Sequence, residues 1–478
     1  MIGLVISMVM GETTEHTDIA IIGSGPGGYV AALRAGKLGK QVTLIEKDPH
    51  GLGGICLHHG CIPSKALIHT ANVFHACTHS QELGINVSMA NLDFTQTQKF
   101  KSGVIDQLTH GIEVLLKKAG VDVIFGNASF QKSTQLHIEQ EHETLTLTAD
   151  NIILASGARP LELPQLPFNG QTIITSKEAL SMQQIPSSMA IVGGGYIAVE
   201  LAHVFQKFGA NVTLIQRSPT ILSQAESIVS EIMKAQLESF GVKILTNTEI
   251  GSSSPSKNGM LLSTKSKDGA LVQLDVEKVL VATGRVPNTE NLGIENTQIK
   301  LDAQGFIPVN EKCFTSDSKI LAIGDVTGNP MLAHRGFYMG KIAAEVCAGL
   351  PSAYDAQVVP SVVYSDPEIA YVGLQEQDAV KMGRQIITGK FPFSANGRAL
   401  GSYSSIGFVK LIADPNSHII LGGLLVGGKV SELISEVALA IETASRLEDI
   451  AGTIHPHPTF GEALMEAAEN ALKKGVHI

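Results

Sequence analysis

Two of the chain's five cysteines, Cys56 and Cys61, stand with four residues between them in the stretch Gly53-Gly54-Ile55-Cys56-Leu57-His58-His59-Gly60-Cys61-Ile62-Pro63-Ser64-Lys65. Thiols at this spacing have three readings: two small buried apolar side chains, half of a metal site, or a redox pair that opens and closes. Zinc knuckles usually carry Cys-x2-Cys with a second ligand pair, which this stretch does not repeat. Five steps along an ideal α-helix separate the Cα atoms of such a pair by roughly 8 Å. A disulfide accepts about 4.4–6.8 Å. Pairing of the two thiols would therefore require a helix here to unwind between them, and Gly60 permits that locally.

A candidate base lies near the other end, in His455-Pro456-His457-Pro458-Thr459-Phe460-Gly461-Glu462. Two histidines two apart are also candidate metal ligands or turn residues, but no local Cys or acid pairs with them as a ligand set. His457, fixed between prolines with Glu462 five residues on at a helix start, fits a base whose second ring nitrogen is oriented by a carboxylate. Asp325, in Gly324-Asp325-Val326 at the end of an apolar run, suits a polyol hydroxyl; a turn or N-cap aspartate is the plain alternative.

Elements must hold these groups, and the chain supplies one such element twice. Residues 18–22 read as a buried parallel strand, followed by Gly23-Ser24-Gly25-Pro26-Gly27-Gly28, a helix to about Lys37, Gly39 as its stop, and a strand over 41–45 closed by Glu46. A Gly-x-Gly-x-x-Gly that follows a strand and opens a helix, with an acid 23 residues after its first glycine, is a dinucleotide fingerprint. Pyrophosphate would rest on the helix's first N–H groups, and the acid would take ribose hydroxyls. The unit recurs 170 residues later as Ala190-Ile191-Val192-Gly193-Gly194-Gly195-Tyr196-Ile197-Ala198, with Gly209 matching Gly39. Two such units in one chain imply two dinucleotides that exchange electrons. The copies differ where it matters for the ligand: Ala198 replaces Gly28, and Gln216-Arg217 replaces Glu46-Lys47. An acid repels a 2′-phosphate, whereas an amide beside a guanidinium can accept one, so two readings stand: a second site that tolerates or prefers NADPH, and one in which Gln216 bonds the ribose of NADH while Arg217 points to solvent.

The rest of the chain supports an α/β fold: two Rossmann-like units plus a carboxy-terminal α+β domain. Residues 66–118 read as largely helical, with Ile105, Leu108, Ile112, Leu115 and Leu116 as a core face. The segment 151–160, a strand ending Ala155-Ser156-Gly157, is echoed at 278–287, ending Ala282-Thr283-Gly284-Arg285. Ser252-Ser253-Ser254-Pro255-Ser256 reads as a loop. From about residue 352 the pattern becomes an antiparallel sheet, closed by helices near 431–443 and 459–474. At 478 residues there is room for about three domains. A net charge of −10 without a basic cluster argues against nucleic acid. No apolar run reaches the ~18 residues of a membrane span. Residues 1–16, apolar at first but without a basic leader, are expected to be a flexible extension. Few cysteines point to a reducing, cytoplasmic setting.

The Cys56–Lys65 stretch together with His457-Pro458-Thr459 and Glu462 resembles the pyridine-nucleotide disulfide oxidoreductases, from about residue 17 to the end. Met331-Leu332-Ala333-His334, Asp366-Pro367-Glu368 and Phe391-Pro392-Phe393 extend the likeness. The resemblance implies an FAD-binding domain over 17–158 and 286–351, an NAD(P)-binding domain over 159–285, and an interface domain over 352–478 that makes a homodimer. It assigns FAD to Gly23, Gly25, Gly28, Glu46 and Lys47 in the first unit, to Gly54 and Lys65, to Gly126, Ser156 and Gly157, and to Asp325, Met331, Ala333 and His334. It assigns NAD, or NADP, to Gly193, Gly194, Gly195 and Glu200, to Gln216 and Arg217, and to Ala282, Gly284 and Arg285. Cys61 would lie against the flavin and Cys56 would exchange with substrate. Lys65 would pair with Glu200, and His457 with Glu462 would act from the partner subunit. No metal is implied. The implied reaction reoxidises dihydrolipoyl groups of a 2-oxoacid dehydrogenase or glycine-cleavage complex. The alternatives are an NADPH-dependent reductase of glutathione or mercuric type, and a flavin sensor that does not turn over. The last cysteine, Cys347, leaves no carboxy-terminal pair for a mercuric reductase, and the complete set of Cys56, Cys61, His457 and Glu462 argues against a sensor.

Overall fold

Ile19, Ala20, Ile21 and Ile22 are buried on both faces, as a central parallel strand requires. They form the second half of β1 (Thr13–Ile22) in a computed structural model that describes residues 13–477. The chain divides into two units. One holds the described residues up to His58 together with Val104–Arg159 and Arg285–Asp355. The other holds His59–Gly103, Pro160–Gly284 and the residues from Ala356 on.

In chain order the early elements are β1, α1 (Pro26–Lys37), β2 (Val42–Glu46), α2 (Gly54–His59), α3 (Cys61–Thr78), α4 (Phe94–Lys118), β3 (Val121–Phe125), β4 (Asn127–Lys132), β5 (Gln135–Glu139) and β6 (Thr144–Leu154). The first unit's sheet runs β3-β2-β1-β6-β5-β4, and Ile320–Ala322 adds in parallel to the end of β6. Pro26 sits at the first turn of α1, where its missing N–H and fixed φ cost nothing. Gly39, at φ +79°, ends the helix in the left-handed conformation that favours glycine. The helix Ala333–Cys347 crosses α1 closely: a Cβ on Gly340 would lie 2.4 Å from the Gly27 carbonyl oxygen.

Residues 13–16 correct the expected extension. They are strand, paired from Thr13↔Leu145 to His16↔Thr148. Polar Glu15 and His16 hide that pairing from hydropathy, because the backbone ladder, not apolar burial, holds this end of β1. The first twelve residues of that expected extension lie outside the described residues. The helical stretch 66–118 is two helices with an irregular connection, and its core face is narrower than expected. Ile105 and Leu116 are buried, but Leu108 and Leu115 are exposed. The latter two lie roughly 70° around the helix from the 105–112–116 stripe.

The second unit takes α3, which the sequence reading placed in the first domain. Leu67, Ile68 and Ala71 of α3 share one core with Val199, Ala202 and Phe205 of the helix Tyr196–Lys207. That helix begins and ends 170 residues after α1, so the repeat holds to the residue. Its sheet is parallel, in the order Lys243–Leu245, Asn211–Ile215, Ser188–Val192, Lys278–Val281, Ile173–Ile174. The serine-rich stretch expected as a loop is the strand Thr248–Pro255, at the edge of a three-stranded meander where polar side chains face water. Beyond residue 356 an antiparallel sheet of Ser361–Val363, Glu368–Gly373, Ile420–Gly427, Phe408–Ala413 and Ile387–Pro392 carries the helices Val430–Glu442 and Glu462–Ala471. Among the described residues no helix is long and apolar enough to cross a membrane.

Candidate active site

The first dinucleotide loop is a surface stripped of side chains. A Cβ on Gly23 (φ +97°) would lie 2.5 Å from the Ala155 oxygen, one on Gly28 would lie 1.8 Å from the Gly23 oxygen, and one on Gly54 would lie 2.5 Å from Gly25 Cα. Glu46 is buried at the end of β2, and Ser24 donates to it from both its N–H (2.9 Å) and its hydroxyl (2.6 Å). The Gly126 N–H donates to the Glu46 backbone oxygen at 2.9 Å, while Lys47 is exposed. Ser156 donates to the Asn288 oxygen at 2.7 Å, and the Asn288 N–H donates to the Gly157 oxygen at 2.9 Å. Burial pushes the Asp325 carboxyl up, against the opposing pull of Arg285 and Arg335. Met331 and Ala333 are half-buried and His334 exposed, around the start of the helix Ala333–Cys347.

The Arg285 guanidinium donates to the Ala158 oxygen and lies 3.9 Å from Asp325, within the first unit.

The second loop repeats the first. A Cβ on Gly193 (φ +125°) would lie 2.3 Å from the Ala282 oxygen, and one on Gly194 would lie 2.8 Å from Gln216 Cδ. Gln216 thus lies over the loop where Glu46 lies in the first copy, and Arg217 is exposed. Gly195 caps the helix with open space beside it, and Gly284 is at φ +153°.

The cysteine stretch breaks where the spacing demands. α2 ends at His59 and α3 starts at Cys61, with Gly60 between at φ −142°, ψ −111°. Cys56 is half-buried and Cys61 exposed. One turn into α3, Lys65 Nζ lies 2.9 and 3.2 Å from the two Glu200 oxygens. Glu200 also accepts the Tyr364 N–H at 2.9 Å, and Lys65 Nζ stands 4.3 Å over the Tyr364 ring. Burial, then Glu368 and Glu200, push the Tyr364 phenol up, so it stays neutral. No local pattern marks Tyr364; its contact is made 299 residues from Lys65 in the chain.

His457 Nδ1 meets Glu462 Oε1 at 2.8 Å, and Glu462 Oε2 accepts the Thr459 N–H at 2.8 Å. Burial would raise the Glu462 carboxyl, but these hydrogen bonds hold it below its ordinary value. Thr459 was legible in principle, because Thr-x-x-Glu is a capping-box spacing. His455 is anchored on both nitrogens, to the Thr453 oxygen at 2.9 Å and Glu436 at 3.1 Å. It pins the segment while the His457 side chain is 79% exposed.

Residues 17–340 match the family described as pyridine nucleotide-disulphide oxidoreductase, and residues 359–468 match that family's dimerisation domain. The chain belongs to this family. It is 42% identical over 471 residues to a dihydrolipoyl dehydrogenase of Geobacillus stearothermophilus, covering 98% of this chain and 99% of the relative. It is also 42% identical over 473 residues to one of Halobacterium salinarum, covering 98% and 99%. Among solved structures, LpdA from Mycobacterium tuberculosis superposes with a TM-score of 0.88 at 27% identity, over 95% of this chain and 99% of the other. The HOCl-induced flavoprotein disulfide reductase RclA of Escherichia coli gives 0.85 at 27%, over 95% and 99%.

Members of this pyridine nucleotide-disulphide family use FAD and NAD. Both loops fit such ligands: each keeps bare backbone at positions where a single Cβ would collide with the loop or its neighbour. Glu46 in the first and Gln216 in the second stand at the strand end where ribose hydroxyls are read. The dimerisation domain supports a homodimer. Among the described residues no group of three His, Cys, Asp or Glu side chains is placed to hold a metal.

Proposed function

We propose that this protein reoxidises dihydrolipoyl groups, passing their electrons through the Cys56–Cys61 pair to NAD+. The observation that carries the reading is the His457–Glu462 contact in a chain whose helix breaks between two cysteines. Glu462 is an acceptor, so His457 Nδ1 carries the proton and Nε2 presents a lone pair. Nε2 takes the proton from a substrate thiol, whose unperturbed pKa is about 8.5. The resulting thiolate attacks Cys56 sulfur, the Cys56–Cys61 bond breaks, and Cys61 leaves as thiolate. The second substrate thiol then displaces Cys56, giving its proton to the departing Cys56 sulfur as the lipoyl disulfide closes; Cys56 is left as thiol, Cys61 as thiolate and His457 protonated. Two electrons have moved onto the cysteine pair. Bound FAD supplies a two-electron link from that pair to the nicotinamide, where NAD+ gains a hydride and the second proton is released. Lys65, held by Glu200, presents its cation one turn from Cys61, and Asp325 would take a polyol hydroxyl.

The lipoyl groups would belong to a 2-oxoacid dehydrogenase or glycine-cleavage complex in the cytoplasm. A second reading, an NADPH-dependent disulfide reductase of the same family, is favoured by one observation: Gln216 with exposed Arg217 stands where an acid would exclude a 2′-phosphate. Steady-state turnover of dihydrolipoamide, glutathione disulfide and Hg(II) with both nicotinamides decides. Rapid dihydrolipoamide oxidation with NAD+ is expected. Turnover of glutathione disulfide with NADPH and none of dihydrolipoamide would install the second reading.

A further inference from the structure

α3 loses helical continuity with α2 at Gly60, so the helix ladder of α2 does not carry its register into α3. A polar ladder follows Cys61. Lys65–Glu200 is the first rung. Seven residues further along both helices, about two turns, stands a second: Lys207 Nζ donates to Asn72 Oδ1 at 2.9 Å and to Asp366 Oδ2 at 2.8 Å. His203 Nε2 lies 3.3 Å from the same Asn72 oxygen. The Lys207 side chain is 1% exposed, and the Phe240 ring lies 4.5 Å from its ammonium. His75 and His203 close on that ring edge-on, at 5.1 and 5.0 Å. Burial, reinforced by Lys207, lowers His75 to about 4 and His203 to about 3. Both rings are therefore neutral near pH 7, and Lys207 and Asp366 are the rung's only charges. Both rungs are closed by one short segment at the start of the region matching the dimerisation domain, through the Tyr364 N–H and the Asp366 carboxylate.

We propose that Lys207, Asp366 and Asn72 are positioning residues that set the register of α3 and so place Lys65 and Cys61 for redox exchange. The apolar contacts of Leu67 and Ala71 with the helix Tyr196–Lys207 can repack when one helix slides or turns on the other. Lys207 cannot follow such a shift. Moved from Asn72 and Asp366, its ammonium would stand unpaired in an apolar setting. The cation changes sides between the rungs, on α3 at Lys65 and on the facing helix at Lys207, so a register slip brings no substitute partner into place. The inference rests on the redox role proposed for Cys61.

Its test uses the FAD-loaded dimer as wild type, as Asp366→Asn, and as the double variant Lys207→Met/Asp366→Leu. The readouts are the long-wavelength thiolate–flavin absorbance after two-electron reduction by NADH, and the melting temperature. Asp366→Asn is expected to weaken the band several-fold. The double variant removes both charges together, and is expected to regain the wild-type melting temperature without regaining the band. If Asp366→Asn fails to fold, the double variant alone carries the comparison. A wild-type band in the double variant overturns the proposal, because packing alone would then set the register. A wild type that shows no band removes the reading of Cys61 beneath it.

Discussion

The direction of one proton decides the chemistry of His457. With Nδ1–H committed to Glu462, Nε2 is the only ring atom open to a substrate thiol. Glutamine keeps the side chain's length and its hydrogen bonding but is not a base. His457→Gln should therefore lower kcat for dihydrolipoamide by about 10²–10⁴-fold or more, with FAD content unchanged, as steady-state rates at saturating substrate will show. Glu462 carries a separate pH signature. Its folded pKa is held below the ordinary 4.5, so the stability it contributes is present above that value and lost as pH falls through the lowered one. The difference in unfolding free energy between wild type and Glu462→Gln should be level near neutrality and shrink once pH drops below 4.5, measured by denaturant titration at a series of pH values. A difference that grows toward acid would assign the wrong sign to the carboxylate.

At the scale of elements the two dinucleotide loops invite an exchange. Gly28 and Ala198 are equivalent positions, yet a Cβ at Gly28 would meet the Gly23 carbonyl oxygen at 1.8 Å. Backbone cannot yield as a flexible side chain can, so α1 must shift on β1. Gly28→Ala is expected to cost about 1–3 kcal/mol and to lower the flavin retained per protein, read from the ratio of visible to ultraviolet absorbance. Full flavin retention would mean that the crossing tolerates the shift. Patterns local in sequence were legible. The strand–Gly loop–helix unit announces itself by composition, its copy returns at a fixed offset, and the two cysteines required a break that falls at Gly60. What escaped has no local pattern. Thr13–His16 are strand only because the backbone of β6 lies alongside, and Leu108 and Leu115 lie just off the buried stripe that their spacing suggests. Arg285 turns to Asp325, 40 residues away, and Lys207 finds Asp366 across 159. Periodicity does not encode such pairs, because they depend on tertiary neighbours that no window of sequence contains.

At the scale of the whole molecule, the residues around His457 look outward. Ile454 is 95% and Leu439 62% exposed, and both lie in the region matching the dimerisation domain. Large apolar side chains so exposed in that region are what a second subunit would cover. The family resemblance implies that His457 acts from the partner subunit; in a two-fold dimer, where each interface residue is used twice, two equivalent sites would then form, each drawing its cysteines from one subunit and His457 from the other. This arrangement makes inactive variants complementary. Cys61→Ser and His457→Gln are each expected to be nearly inactive as homodimers. In a mixed dimer, one site combines both lesions and is dead, while the other combines the intact cysteines of one subunit with the intact histidine of its partner. Random reassociation makes half of the dimers mixed, so unfolding the two variants together and refolding them should restore about a quarter of wild-type dihydrolipoamide activity. Separately refolded samples, combined only afterwards, should restore almost none. If co-refolding restores nothing while light scattering shows dimers, the site draws its thiols and its base from one chain, and the exposed face around Ile454 needs another explanation.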